Sequence, residues 1–181
     1  MIRGNVDISF LDERELYITK FLEDTNTAWS SGYWKDTGQA VPDYPYDSTF
    51  VMQTYDNHAP TWAHHIKEMF ASWIEHSLVT VNCVKPGRCI PPHRDKFYRL
   101  DNLAKKHNWD IVGKTPVRIN LFLQDKIMGH HLEIEDQHFT NYIKGDYTYI
   151  LKDQVHCVSN VSNINRYTLQ ITGYAKTEDI Q

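Results

Sequence analysis

The chain is poor in cysteine. Cys83, Cys89 and Cys157 are its only three among 181 residues, an odd number with no Cys-x-x-Cys spacing. That argues against a disulfide framework and against a cysteine-rich zinc site. Long apolar runs are missing as well. No window approaches the ~20 consecutive apolar residues of a membrane-spanning helix, so no membrane segment is expected. Residues 1–7 lack the apolar core of a secretory signal, and the expectation is a cytoplasmic protein. Positive charge is not in excess: 19 Lys and Arg against 23 Asp and Glu give a net charge of −4. This argues against a broad phosphate-binding surface, though a local basic patch stays open. Repeats, low-complexity tracts and long charge runs are absent too. Nothing therefore splits residues 1–181, a length suited to one domain. The sequence leaves the oligomeric state open.

What the chain has in quantity is histidine, 10 residues, and aromatics, 13%. The two halves also differ in pattern. Residues 11–23 carry Leu11, Leu16, Tyr17 and Phe21 among charges. In residues 61–76, Trp62, Ile66, Met69, Phe70, Trp73 and Ile74 recur at three- and four-residue steps, behind Pro60. Both segments are expected as helices, the second more clearly. Residues 27–57 are rich in Gly, Pro, Asp and aromatics and read as loop, with one short strand at 50–54. Its Trp29, Tyr33, Trp34, Tyr44, Tyr46 and Tyr55 suit packing onto a core or lining a cleft.

The second half reads as short strands at 78–84, 117–124, 131–135, 147–151, 155–158 and 166–174, separated by turn residues such as Lys144-Gly145-Asp146. Helices followed by closely spaced strands predict an α+β, mainly β protein. The expected fold is a cupin-like jelly-roll, or double-stranded β-helix, with N-terminal helices packed on one sheet. The helical and loop part is placed at 1–77 and the jelly-roll at 78–176.

Most of the histidines suit surface or packing roles; His58, His64, His65, His76, His107 and His138 are of this kind. His93 and His156 differ. In His93-Arg94-Asp95 an imidazole and a carboxylate two residues apart share one side of an extended segment. His156 lies in another candidate strand and supplies a third ligand. Two His and one carboxylate on one face of a metal suit non-haem Fe(II), whose remaining positions stay open. Ten residues after His156, Arg166-Tyr167-Thr168 puts a guanidinium and a hydroxyl on one strand face. That pair suits the far carboxylate of a dicarboxylic acid, or else the Arg pairs with an internal Asp or Glu.

His93-x-Asp95, His156 and Arg166-x-Thr168 together resemble the Fe(II)/2-oxoglutarate-dependent dioxygenases. Residues 84–93, a proline-glycine turn and strand, are similar to the segment that brings the first ligand to the metal in that superfamily. Within it, residues 116–174 resemble the aspartyl/asparaginyl β-hydroxylase group, which includes free-proline hydroxylases. The matching features are Arg118-Ile119-Asn120-Leu121, Gly129, Gly145-Asp146, the apolar run 147–151, His156 and Arg166. The resemblance implies that His93, Asp95 and His156 hold Fe(II) and that Arg166 and Thr168 hold 2-oxoglutarate. It further implies that O2 is the second co-substrate. Asn120 stands where that group carries His beside the proximal carboxylate of 2-oxoglutarate; it keeps a donor and loses the positive charge. Arg118, on the same strand face, would bind the carboxylate of an amino-acid, peptide or protein substrate, or else form an ion pair at the barrel mouth. The implied reaction hydroxylates a C–H bond and turns 2-oxoglutarate into succinate. Residues 96–115 match no pattern and are expected to form a lid or substrate loop. Arg94, Tyr98, Arg99 and Trp109 are near enough in sequence to reach substrate.

Two other readings compete. The same chemistry on a nucleic-acid base draws on Lys85, Arg88, Arg94, Lys96 and Arg99 near the metal entrance, against a net negative charge. A cupin-like metal-binding module without turnover would leave the Arg166–Thr168 pair unused.

Overall fold

A computed structural model describes residues 1–21 and 52–180. Two antiparallel sheets face each other. The major sheet has six strands: β1 (Gly4–Asn5), β8 (Asp146–Leu151), β5 (Lys114–Phe122), β10 (Arg166–Lys176), β3 (Glu75–Val84) and β2 (Met52–Tyr55), in that order. The minor sheet orders β4 (Arg88–Arg94), β9 (Val155–Asn160), β6 (His130–Ile134) and β7 (Gln137–His138). The helices are α1 (Glu13–Ile18), α2 (Thr61–Glu68) and α3 (Tyr98–His107). This is the expected mainly β jelly-roll, with its helices against one sheet. No helix among the described residues is long and apolar enough to cross a membrane.

The central strand β10 explains the layout. Side chains alternate along a strand, and here Tyr167, Leu169 and Ile171 point one way while Arg166, Thr168, Gln170 and Thr172 point the other. The apolar set joins Val79 and Val81 of β3, Val117, Ile119 and Leu121 of β5, and Leu16 and Ile66 of α1 and α2 in the main core. Each fully buried aliphatic side chain there contributes ~1.5–3 kcal/mol. The polar set faces the minor sheet, where a sandwich ordinarily keeps its apolar core. With Asn82 and Asn120 it makes the space between the sheets polar on one wall. The opposite wall sets Ile90, Leu132 and Val158 beside His93 and His156. Burying that much polar surface without packing gain points to a binding cavity.

Local details fix the frame. Asp12 caps α1, accepting from the Arg14 backbone N–H at 2.8 Å. Gly145 turns the chain into β8 at φ +90°, and a Cβ there would lie 2.3 Å from the Val6 carbonyl oxygen. Only glycine fits such a turn against a neighbouring backbone.

Several expectations are corrected. The helix placed at 61–76 stops at Glu68, and β3 already begins at Glu75. Phe70 and Ile74 still enter the core, through turns, so the apolar spacing persisted without the helix. His76, expected to close the helix, lies in β3 at φ +53° and stacks on Trp109 with centroids 4.3 Å apart. Residues 96–115, expected as a lid or loop, contain α3, whose Leu100 and Ala104 pack against Phe97 and Tyr174. The helix expected at 11–23 is shorter, α1 at Glu13–Ile18, and the strand expected at 50–54 is β2, whose first described residue is Met52. Trp29, Tyr33, Trp34, Tyr44 and Tyr46 lie outside the described residues.

Candidate metal centre and anion pocket

His93 reaches the cavity because β4 carries a bulge. Ile90 pairs with Val158 and His93 with His156, three steps on β4 against two on β9. Without the extra residue in the ladder, His93 and Ile90, three apart, would face opposite sides. With it, both line the cavity. Pro91 and Pro92 supply the bulge, since neither has an N–H to give to a ladder. Asp95 follows the end of β4, and Phe97 at φ +53° then turns the chain into α3. His156 is the second residue of the neighbouring strand β9.

The three side chains converge and are buried. Asp95 carboxylate oxygens lie 3.9 Å from His93 Nε2 and 3.5 Å from His156 Nε2, and the two rings are 4.1 Å apart. Each ring is oriented by a backbone carbonyl. His93 Nδ1 donates to Pro91 at 2.8 Å and His156 Nδ1 to Gln154 at 3.1 Å. A carbonyl only accepts, so each Nδ1 carries the proton and each Nε2 offers its lone pair to the centre. Burial, then the neighbouring His156, pushes His93 down to about 3. Burial also lowers His156. Both rings are thus neutral, the form that binds metal. Burial would raise Asp95, but Arg118 and the two histidines outweigh it and hold the carboxyl below its usual range.

Two neutral imidazoles and one ionised carboxylate on one side of a 250 Å³ cavity fit a divalent transition metal with open positions on the other side. Arg118 sits beside the set. Its Nη1 donates to Asp95 at 2.6 Å and its Nε to Thr172 at 3.0 Å. Asn120 and Gln170 line the same cavity, and the Asn120 side-chain NH2 has no partner among the described residues.

Arg166 lies further along the inner face, four residues or about 13 Å of strand from Gln170. It is 2% exposed. Among the described residues no Asp or Glu pairs with it, and the Tyr142 hydroxyl hydrogen-bonds to it. Nε and Nη2, which form one edge of the guanidinium fork, have no partner among the described residues. The ring of Phe122 lies 5.9 Å away. Thr168, also buried, comes between Arg166 and Gln170 on the same face. Among the described residues, Arg166 therefore has no internal carboxylate partner. Two further cations crowd the same end. Burial, then Arg166, lowers Lys126, and the same pair of causes takes His130 to about 4.

A second cavity of 390 Å³ shares Gln53, Asp95, Arg118 and Gln170 with the first and opens past Phe97, Tyr98 and Arg99. Tyr98 and Arg99 thus lie where a substrate could reach. Arg94 instead donates to the Asp153 carbonyl, and Trp109 lines other surface pockets. Reading the sequence missed Gln170, Asn82, His130 and Tyr142. The first three sit on the inner face of strands expected from the pattern, and alternation from Arg166 and Asn120 could have flagged Gln170.

No protein-family model matches the sequence, and no curated protein matches it. Solved structures do. A prolyl-4-hydroxylase from Pseudomonas putida aligns over 90% of this chain and 96% of its own, with TM-score 0.51 and 11% identity. The fold is a cupin-type double-stranded β-helix. KdgF from Halomonas sp. aligns over 72% of this chain and 84% of its own, with TM-score 0.41 and 9% identity. A Cupin 2 conserved barrel domain protein from Salinispora arenicola aligns over 68% and 75%, with TM-score 0.41 and 10% identity.

Proposed function

We propose that this cupin is an Fe(II)- and 2-oxoglutarate-dependent dioxygenase that hydroxylates a C–H bond of an amino acid or of an amino-acid residue in a peptide or protein. The observation that carries the proposal is Arg166. A buried guanidinium with one fork edge unpartnered among the described residues, in the same barrel as a His-Asp-His set, suits one carboxylate of a dicarboxylic acid whose other end reaches the metal. A metal-storage site needs no such clamp.

His93, Asp95 and His156 would hold the iron, and Arg166 with Thr168 the far carboxylate of 2-oxoglutarate. Iron, 2-oxoglutarate and O2 together would supply the oxidising chemistry. The chain's own contribution is placement. The bulge and the two carbonyl bonds fix the imidazoles, and Arg118 keeps Asp95 ionised and turned inward. The Asn120 NH2 offers a donor near the metal. Ile90, Leu132 and Val158 give one wall of the cavity apolar surface, which excludes water. Arg118 uses Nε and Nη1 in its two bonds and lines both cavities, so Nη2 is the group that would meet a substrate carboxylate. The hydroxylase named among the structural neighbours belongs to the same reaction class.

Nucleic acid is the weaker substrate. At the entrance Lys96 pairs with Asp153 at 3.3 Å, Arg99 pairs with Asp56, and Arg94 is engaged with Asp153. Cations already neutralised in this way release few counterions on phosphate.

The test is an anaerobic titration of the Fe(II)-loaded protein with 2-oxoglutarate, watching for the visible charge-transfer band of the chelate. A saturable band, absent in His93→Ala and Asp95→Ala, is expected. A zinc-loaded or iron-loaded wild type that binds no 2-oxoglutarate would make it a metal-binding module instead.

A further inference from the structure

We propose that His131, Glu133 and His138 form a second divalent-metal site, on the outer face of the minor sheet, for a borderline ion such as Zn²⁺. The site is separate from the inner cavity and does not depend on what that cavity does. His131 and Glu133 are two apart on β6 and so share a face. Glu133 pairs directly with His138 across the β6–β7 hairpin, which brings the third group onto that face.

Two of the three ligand-to-ligand distances match what one ion requires. His131 Nε2 lies 3.4 Å and His138 Nδ1 3.3 Å from the same oxygen, Glu133 Oε2. With metal–ligand bonds of about 2.0–2.1 Å, the edge of a tetrahedral site is about 3.3–3.4 Å. All three ligand atoms fall within 4.8 Å of one another. The plainer reading is a surface His–Glu–His hydrogen-bond cluster, whose contribution is about 0–1 kcal/mol. That reading accounts for each contact but not for two imidazole nitrogens converging on one oxygen at tetrahedral spacing.

The scaffold is already set. Phe139 N–H donates to Leu132 at 3.0 Å and Glu135 N–H to Val155 at 2.7 Å, on either side of the turn. The side chains are 39%, 34% and 57% exposed for His131, Glu133 and His138, so an ion can enter from solvent and keep water as its fourth ligand. Two histidines and one carboxylate favour zinc-like ions over Ca²⁺ or Mg²⁺, which take all-oxygen sites.

The test uses chelator-stripped, full-length protein titrated with Zn²⁺ against a chromogenic competitor. Wild type is expected to bind two equivalents. His138→Ala, an exposed change that spares the fold, is expected to bind one. His93→Ala/Asp95→Ala is also expected to bind one, the outer ion. Co²⁺ added to that double variant should give the intense visible bands of tetrahedral coordination, lost on adding Glu133→Gln. A wild-type stoichiometry unchanged by His138→Ala overturns the proposal, as does Co²⁺ giving only weak octahedral bands in the double variant.

Discussion

Replacing Arg166 with Met should move two measured quantities in opposite directions. Among the described residues the buried guanidinium faces no carboxylate, and its Nε and Nη2 have no partner. Replacing buried ionic groups with apolar side chains of similar volume is often stabilising by ~1–4 kcal/mol. The Tyr142 hydroxyl would lose its partner, which costs ~1 kcal/mol. A net gain of ~1–2 kcal/mol in a chain of this size raises Tm by roughly 2–8 °C. The same change removes two charge-assisted bonds to the co-substrate carboxylate. At ~1.5–3 kcal/mol each, 2-oxoglutarate should bind roughly 10²–10⁴-fold more weakly. The assays are thermal melting of metal-free protein and an anaerobic titration of the Fe(II) form. A structural arginine gives the reverse pattern: a lower Tm with affinity for 2-oxoglutarate intact. That result would refute the reasoning. Arg166→Lys keeps the charge but not the fork, and its affinity should fall between the two.

Other predictions follow from the same geometry. Arg118→Met removes the cation that holds the Asp95 carboxyl down, so the acid edge of metal binding should move to higher pH; an unmoved edge in a pH series of metal titrations would count against that role. In the metal-free chain His93 titrates at about 3 and His130 at about 4. The unfolded chain takes up these protons near pH 6.5, so stability is full above that pH. It falls as pH drops toward 4, by up to ~1.4 kcal/mol per pH unit for each group. Urea midpoints at pH 7, 5.5 and 4.5 check this, and His130→Gln should flatten the slope by one proton. Gly145→Ala places a Cβ against the Val6 carbonyl at positive φ and should cost ~2–4 kcal/mol, read as a lower denaturation midpoint.

The sequence made the β-rich half legible because its strands are short, β-branched and punctuated by turns. Six strands appear where expected, each within a few residues. The candidate metal ligands were legible because the chemistry confines them to two short motifs. The helix at 61–76 was overextended because Phe70, Trp73 and Ile74 keep a helical spacing while serving the core through turns; spacing reports burial, not backbone. Residues 96–115 hid α3 because its buried face is only Leu100 and Ala104 among charges. That no described Asp or Glu pairs with Arg166 was out of reach, since nothing local to Arg166 says which side chains the fold brings to it. Arg118 could be read as a substrate clamp or as an ion pair, and only the packing shows it bonded to Asp95.

The two-sided strand β10 has a consequence for engineering. Tyr167, Leu169 and Ile171 hold α1 and α2 to the sheet while Gln170 and Thr172 face the cavities, so recombining this strand between homologues would exchange scaffold and site as one block. Altered selectivity is therefore best sought at Phe97, Tyr98 and Arg99, where the chamber opens onto α3 and a residue can change without being wired to the opposite layer.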